Sequence, residues 1–135
     1  MTQEEKSLLL QDLCARLPYR VICTDSRHGD STITEIDIVE KTVYCYDFDE
    51  YVELDKCKPY LRPMSSITKE EKEEFEQIRY NAEAKLFNAF SKGGFTLAFH
   101  EIDDWLNAHH FDYRGLIPMK LALEAPEGMY NIKEQ

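Results

Sequence analysis

The spacing of apolar residues changes twice along this chain, and that constrains its fold more than any other feature. Leu9, Leu10, Leu13, Cys14 and Leu17 recur at helical spacing; between Tyr19 and Leu54 apolar and polar residues tend to alternate; from Phe75 to His109 the helical spacing returns. Helical and extended stretches are thus segregated. The expectation is an α+β fold with an N-terminal helix, a small antiparallel sheet of three to four strands, then two helices and an irregular C-terminal segment.

Local signals place the boundaries. Thr2 and Glu5 make a capping box for a helix over about 3–16, and Pro18 closes it, because the residue before a proline avoids helical geometry. Residues 19–25 are rich in strand formers, and the turn Ser26–Ser31 offers Gly29 for a positive φ, so a hairpin follows. Thr34, Ile36 and Ile38 alternate with Glu35, Asp37 and Val39. A third strand over Val43–Asp49 puts Tyr44, Tyr46 and Phe48 on one face and Cys45, Asp47 and Asp49 on the other, and Tyr51–Leu54 makes a fourth. Pro59 and Pro63 mark a stiff connector over 59–65 within a single domain spanning 1–135, between a strand-rich part of about 1–58 and a helix-rich part of about 66–135.

Thr68 and Glu71 form a second capping box. The stripe Phe75, Ile78, Ala82, Leu86, Ala89 and Phe90 then predicts a helix over about 69–92, stopped by Gly93 and Gly94. A third helix over 97–109 places Ile102, Trp105, Leu106 and His109 on one face and turns Asp103 and Asp104 outward. Pro118 leaves the apolar stretch 116–123 undecided between strand and helix.

A chain of 135 residues with 43% hydrophobic residues can bury a core, despite a formal charge of -10. Its start carries acid where a secretory signal carries base, and no apolar run approaches the ~20 residues that cross a bilayer as a helix. A cytoplasmic protein without a membrane span is expected. Sixteen basic residues against 26 acidic ones, with no basic stripe, argue against direct nucleic-acid binding.

Few motifs carry chemistry. Cys14, Cys23, Cys45 and Cys57 contain no Cys-x-x-Cys pair, so they read as free structural thiols rather than ligands or a redox dithiol. The run His100-Glu-Ile-Asp-Asp104 begins like a zinc-protease helix but has aspartate where the second histidine belongs. His109, on the apolar helix face, reads as a core histidine, and His110 lies on the flank. The segment Ala108–Gly115 gathers His110, Asp112, Tyr113 and Arg114 just past a helix; a helix end with Arg114 paired to Asp112 is the plainer reading, and a small active site is the alternative. No nucleophile elbow or phosphate-binding glycine loop is present. No catalytic residue, cofactor or metal ligand is assigned.

The charge is concentrated. Between Glu35 and Asp55 stand eight acids and one base, Lys41, which accounts for seven of the ten excess negative charges. Glu35, Asp37, Asp47 and Asp49 would give the sheet a negative face suited to a basic protein partner.

Four phrases, Leu13-Cys-Ala-Arg-Leu-Pro-Tyr19, Lys58-Pro-Tyr-Leu-Arg-Pro-Met-Ser-Ser66, Asp104–Ile117 and Ala122–Tyr130, resemble those of short uncharacterised bacterial proteins associated with prophage or mobile-element genes. The resemblance implies an accessory protein of a mobile element and assigns no catalytic residue. The leading expectation is therefore a non-enzymatic interaction protein that binds another protein through its sheet or its Trp105–Gly115 region. A small enzyme built on His110, Asp112, Tyr113 and Arg114 and an acidic nucleic-acid mimic are the alternatives.

Overall fold

The computed structural model describes the backbone of residues 1–89 and 95–130, and side chains there except over 85–99. Helix α1 spans Gln3–Arg16, with both capping-box bonds between Thr2 and Glu5 in place. A short 3-10 turn over Leu17–Tyr19 then leads to Arg20, whose φ of 60° redirects the chain into the sheet. The strands are β1 (Ile22–Asp25), β2 (Gly29–Asp37), β3 (Thr42–Cys45), β4 (Glu50–Glu53), β5 (Cys57–Leu61) and β6 (Leu123–Glu124). Helices α2 (Lys69–Ala89) and α3 (Phe95–Ala108) lie between β5 and β6 in sequence.

The strands form one six-stranded sheet in the order β4-β3-β2-β1-β5-β6. β1 to β4 are an antiparallel meander, as the turn residues dictate; Gly29 opens β2 with a φ of 83°. The sheet is nonetheless larger than the expected three to four antiparallel strands, and mixed: β5 pairs with β1 antiparallel and with β6 parallel. The expected connector is part of that extension, because β5 runs through Pro59. Pairing with β6 begins one residue later, at Tyr60, so the missing N–H leaves no position against β6 unfilled. β6 is only two residues long and its partner lies more than 60 residues earlier, which explains why stretch 116–123 gave no strand signal of its own.

One face of the sheet is covered by α1. Leu9 and Leu13 pack with Val21, Ile33, Val43, Val52, Leu54 and Leu61, all essentially excluded from water. Inward positions alternate along β1, β3 and β5, where Cys23, Cys45 and Cys57 are buried with them. Along β2 the alternation fails at a bulge between Ile33 and Glu35, and Ile38 and Val39 fall in an exposed turn rather than on the strand. A second apolar cluster, Trp105, Leu106 and Phe111 with Phe75, Ile78 and Ile102, joins α2 to α3. The Thr68–Glu71 capping box starts α2 as expected; the expected extension of that helix to residue 92 and its stop at Gly93 and Gly94 lie outside the described residues. No helix among the described residues is long and apolar enough to cross a membrane.

Candidate functional site

The outward face of β2, β3 and β4 is a grid set by register. Glu35 pairs with Tyr44, which pairs with Tyr51; the next outward row is Asp37, Thr42 and Glu53. Because Val43 and Val52 point into the core, alternation sends these six side chains to the other side. The two tyrosine rings lie 5.1 Å apart, and the Tyr51 hydroxyl donates to Glu35 Oε2 at 2.7 Å. The Tyr44 hydroxyl donates to Asp49, which with nearby carboxylates pushes its pKa up to about 12. Tyr51 is raised as well, first by its bond to Glu35. Both rings therefore stay neutral at physiological pH. β4 lies at the sheet edge, with β3 as its one strand neighbour among the described residues.

Two of the expected face residues sit elsewhere. β3 ends at Cys45, and Asp47 and Asp49 belong to the turn that follows. Asp47 accepts the Thr32 N–H at 3.2 Å and gives its own N–H to Ser31 Oγ at 2.9 Å. Asp49 has a φ of 54°, a left-handed conformation that aspartate tolerates better than most residues. Asp37 is at the end of β2, where Oδ1 accepts the N–H groups of Val39 and Glu40. Glu35 and Asp37 thus belong to the face itself, while Asp47 and Asp49 organise its margin.

The Ala108–Gly115 segment is joinery between helix and sheet. α3 stops at Ala108 and His110 takes a φ of 63°, so the helical wheel no longer applies to His110, which leaves its expected flank for the interior, while His109 keeps to the Trp105 side. His109 is half-buried, stacked on Trp105 at 3.9 Å with Nδ1 2.8 Å from the Trp105 carbonyl. His110 is fully buried against the Tyr130 ring at 3.7 Å. Burial foremost, then the charges of Arg16, His109 and Arg62, hold its imidazole down to about 3. Asp112 does not pair with Arg114; its carboxylate accepts the N–H groups of Leu116 and Ile117 at 2.8 and 2.9 Å. Arg114 reaches Asp12 instead, at 3.1 Å, and Tyr113 donates to Asn107. Sequence could not foresee Asp12, which α1 supplies from about 100 residues away.

An open groove of about 850 Å³ lies nearby, lined by Arg62, Glu71, Glu74, His109, Glu124 and Tyr130 among others, and none of His110, Asp112, Tyr113 and Arg114 lines it. Its best-placed cation, Arg62, is committed to Glu71 through two bonds of 2.7 Å, which hold the Glu71 carboxyl down to about 2.

One gathering has no counterpart in the sequence motifs. The sulfurs of Cys23, Cys45 and Cys57 all lie within 4.8 Å of one another, in the core, with Cys23 and Cys45 3.7 Å apart. No disulfide joins them, and Cys14 is exposed on α1. Hydrogen bonding among the three acts unevenly: interaction with Cys23 lowers the Cys45 thiol, and its partners are raised. No sequence signal pointed to it, since Cys45 was expected on the face of Asp47 and Asp49 and Cys57 lay outside the expected strands; the convergence depends on the order in which β1, β3 and β5 enter the sheet. Among the described residues this is the one group of three or more potential metal ligands drawn together, and His100 and Asp104, both exposed, are not part of it.

Comparison with family models, with curated proteins and with solved structures finds no match for this chain.

Proposed function

We propose that the protein is a non-enzymatic interaction protein that receives an extended, basic segment of another protein along β4 and its outward face. The observation that carries this reading is the grid Glu35, Tyr44, Tyr51 over Asp37, Thr42, Glu53, three acids and two aromatic rings without a base, displayed at a sheet edge. An added strand would gain main-chain hydrogen bonds from the β4 edge, while every second side chain would lie over the grid. Lysine or arginine there meets carboxylates and the faces of Tyr44 and Tyr51, an arrangement that favours fast, charge-steered association. Tyrosine anchors bring contact area at small entropic cost.

An accessory role is also what the resemblance to prophage-associated proteins implies. The enzyme alternative gains no comparable support: His110, Asp112, Tyr113 and Arg114 are each engaged with neighbouring structure and share no groove. A dye-labelled peptide of alternating lysine and valine tests the reading by fluorescence anisotropy. Binding should weaken with salt and be lost in Glu35→Lys and Tyr51→Ala, while His109→Gln binds as wild type. Equal binding by the Glu35→Lys variant would remove β4 as the docking edge.

A further inference from the structure

Cys23, Cys45 and Cys57 come from three different strands, β1, β3 and β5, and present their sulfurs to one point of the core. An ion about 2.3 Å from each of three sulfurs, at the apex of a pyramid or in their plane, holds them about 3.5–4 Å apart, which matches the 3.7 Å between Cys23 and Cys45 and the 4.8 Å limit for all three. We propose that these three cysteines form a binding site for a thiophilic ion that takes three thiolates and no fourth ligand, and that its occupant is trivalent arsenic, entering as arsenite.

Coordination number narrows the choice first. Structural zinc takes four ligands and iron–sulfur clusters are commonly held by four cysteines, whereas no fourth His, Cys, Asp or Glu joins this group among the described residues. The carboxylate whose charge acts on Cys23 and Cys45, Asp25, is itself buried and committed, to the Arg27 N–H at 2.9 Å and to His28 Nδ1 at 3.3 Å. With the sulfurs excluded from solvent, water is a poor substitute.

Charge narrows it further. Three thiolates on a monovalent copper ion leave a net charge of minus two, on a divalent ion minus one, and on trivalent arsenic zero. A buried net charge is heavily penalised unless paired, and Asp25, beside Cys23, adds negative potential rather than relief. The neutral complex is the one this core accepts. The reaction is balanced without an oxidant: arsenous acid and three thiols give one arsenic tris-thiolate and three waters, each S–H proton leaving with a hydroxide of the acid. Arsenic remains trivalent throughout.

The test is titration of the full chain with sodium arsenite and, separately, with copper(I), followed by native mass spectrometry and thiol counting. One arsenic per chain, with the mass of three hydrogens lost and three thiols protected, is expected for wild type and for Cys14→Ser. Cys23→Ser, Cys45→Ser and Cys57→Ser should each weaken binding by more than the roughly tenfold that loss of an outer-shell partner produces. Because a serine in the core can unfold the protein, X-ray absorption of the wild-type adduct provides the second measurement, with three sulfur neighbours expected. Two sulfur neighbours, undiminished binding by folded Cys45→Ser, or no binding would overturn the site. Copper(I) bound one per chain with arsenite excluded would overturn the assignment of the occupant.

Discussion

Asp12 holds Arg16 one helical turn away through bonds of 2.7 and 3.1 Å, with both side chains fully buried. Arg16 continues to the Phe111 carbonyl at 2.6 Å and Asp12 also accepts Arg114, so one carboxylate ties α1 to the segment that follows α3. Removing it alone strands a buried guanidinium. Asp12→Ala should destabilise by about 3–5 kcal/mol, read as a fall in the urea midpoint. Asp12→Leu with Arg16→Met should recover much of that loss, since replacing both partners removes the stranded charge. A double variant no better than the single one would show that the Phe111 and Arg114 bonds carry the effect instead.

His110 gives the protein an acid sensitivity of defined sign. Its folded value of about 3 lies below the ordinary 6.5, so the unfolded chain accepts a proton that the folded one refuses. Its contribution is complete above pH 6.5 and declines as pH falls toward 3, by at most about 1.4 kcal/mol per pH unit. Glu71 acts in the same direction but lower, between its ordinary 4.5 and about 2. Thermal midpoints should therefore already fall between pH 6.5 and 5, and His110→Gln should flatten that part of the curve. A wild-type profile flat to pH 4.5 would contradict the burial of a neutral imidazole.

Arg62 meets Glu71 with two nitrogens and lies 4.2 Å above the Phe111 ring. A planar fork makes both contacts at once, which an ammonium cannot do. Arg62→Lys should accordingly lose about 1–3 kcal/mol, with Arg62→Ala at least as damaging. Chemical denaturation at pH 7 distinguishes these from a lysine variant equal to wild type, which would reduce the pair to simple charge.

Gly29 opens β2 at a φ of 83°, with empty space where a Cβ would stand. Any penalty of substitution there is therefore conformational rather than steric crowding by neighbours. Gly29→Ala should destabilise by about 1–2 kcal/mol, and Gly29→Asn by less, because asparagine visits left-handed geometry more readily. Equal losses for the two would point to something other than backbone strain.

What could be read from sequence was local. The capping boxes at Thr2 and Thr68 and the turn at Gly29 depend on residues within a few positions of one another, and each forms as expected. The alternation of Tyr44 and Cys45 was visible too, but its facing was inverted: Cys45, expected on the side of the outward acids, is buried and Tyr44 points outward, and the strand stops at Cys45 rather than running to Asp49. What escaped was decided by partners distant in sequence. Pro59 looked like a breaker because strand membership depends on where the neighbouring ladder begins. His110 looked peripheral because its position follows from a left-handed backbone step, and the face that buries it is completed by Tyr130. The thiol cluster requires three strands to be placed before any of its members has a partner.

Tyr130 shows how such distance shapes the order of events. The last β1–β5 pair is Cys23 with Pro59, and beyond it the Tyr130 hydroxyl accepts the Ile22 N–H at 2.9 Å and donates to the Tyr60 carbonyl at 2.7 Å. A phenol thereby serves as the rung that the backbone ladder lacks. During vectorial synthesis the meander β1–β4 and the β1–β5 pairs at Cys23–Asp25 can close as they emerge, but the rung at Ile22 waits until 108 further residues have followed it. A nascent chain halted before Tyr130 would leave the Ile22 N–H and the Tyr60 carbonyl without that rung, so the end of the seam is completed only when the last described residue has been made.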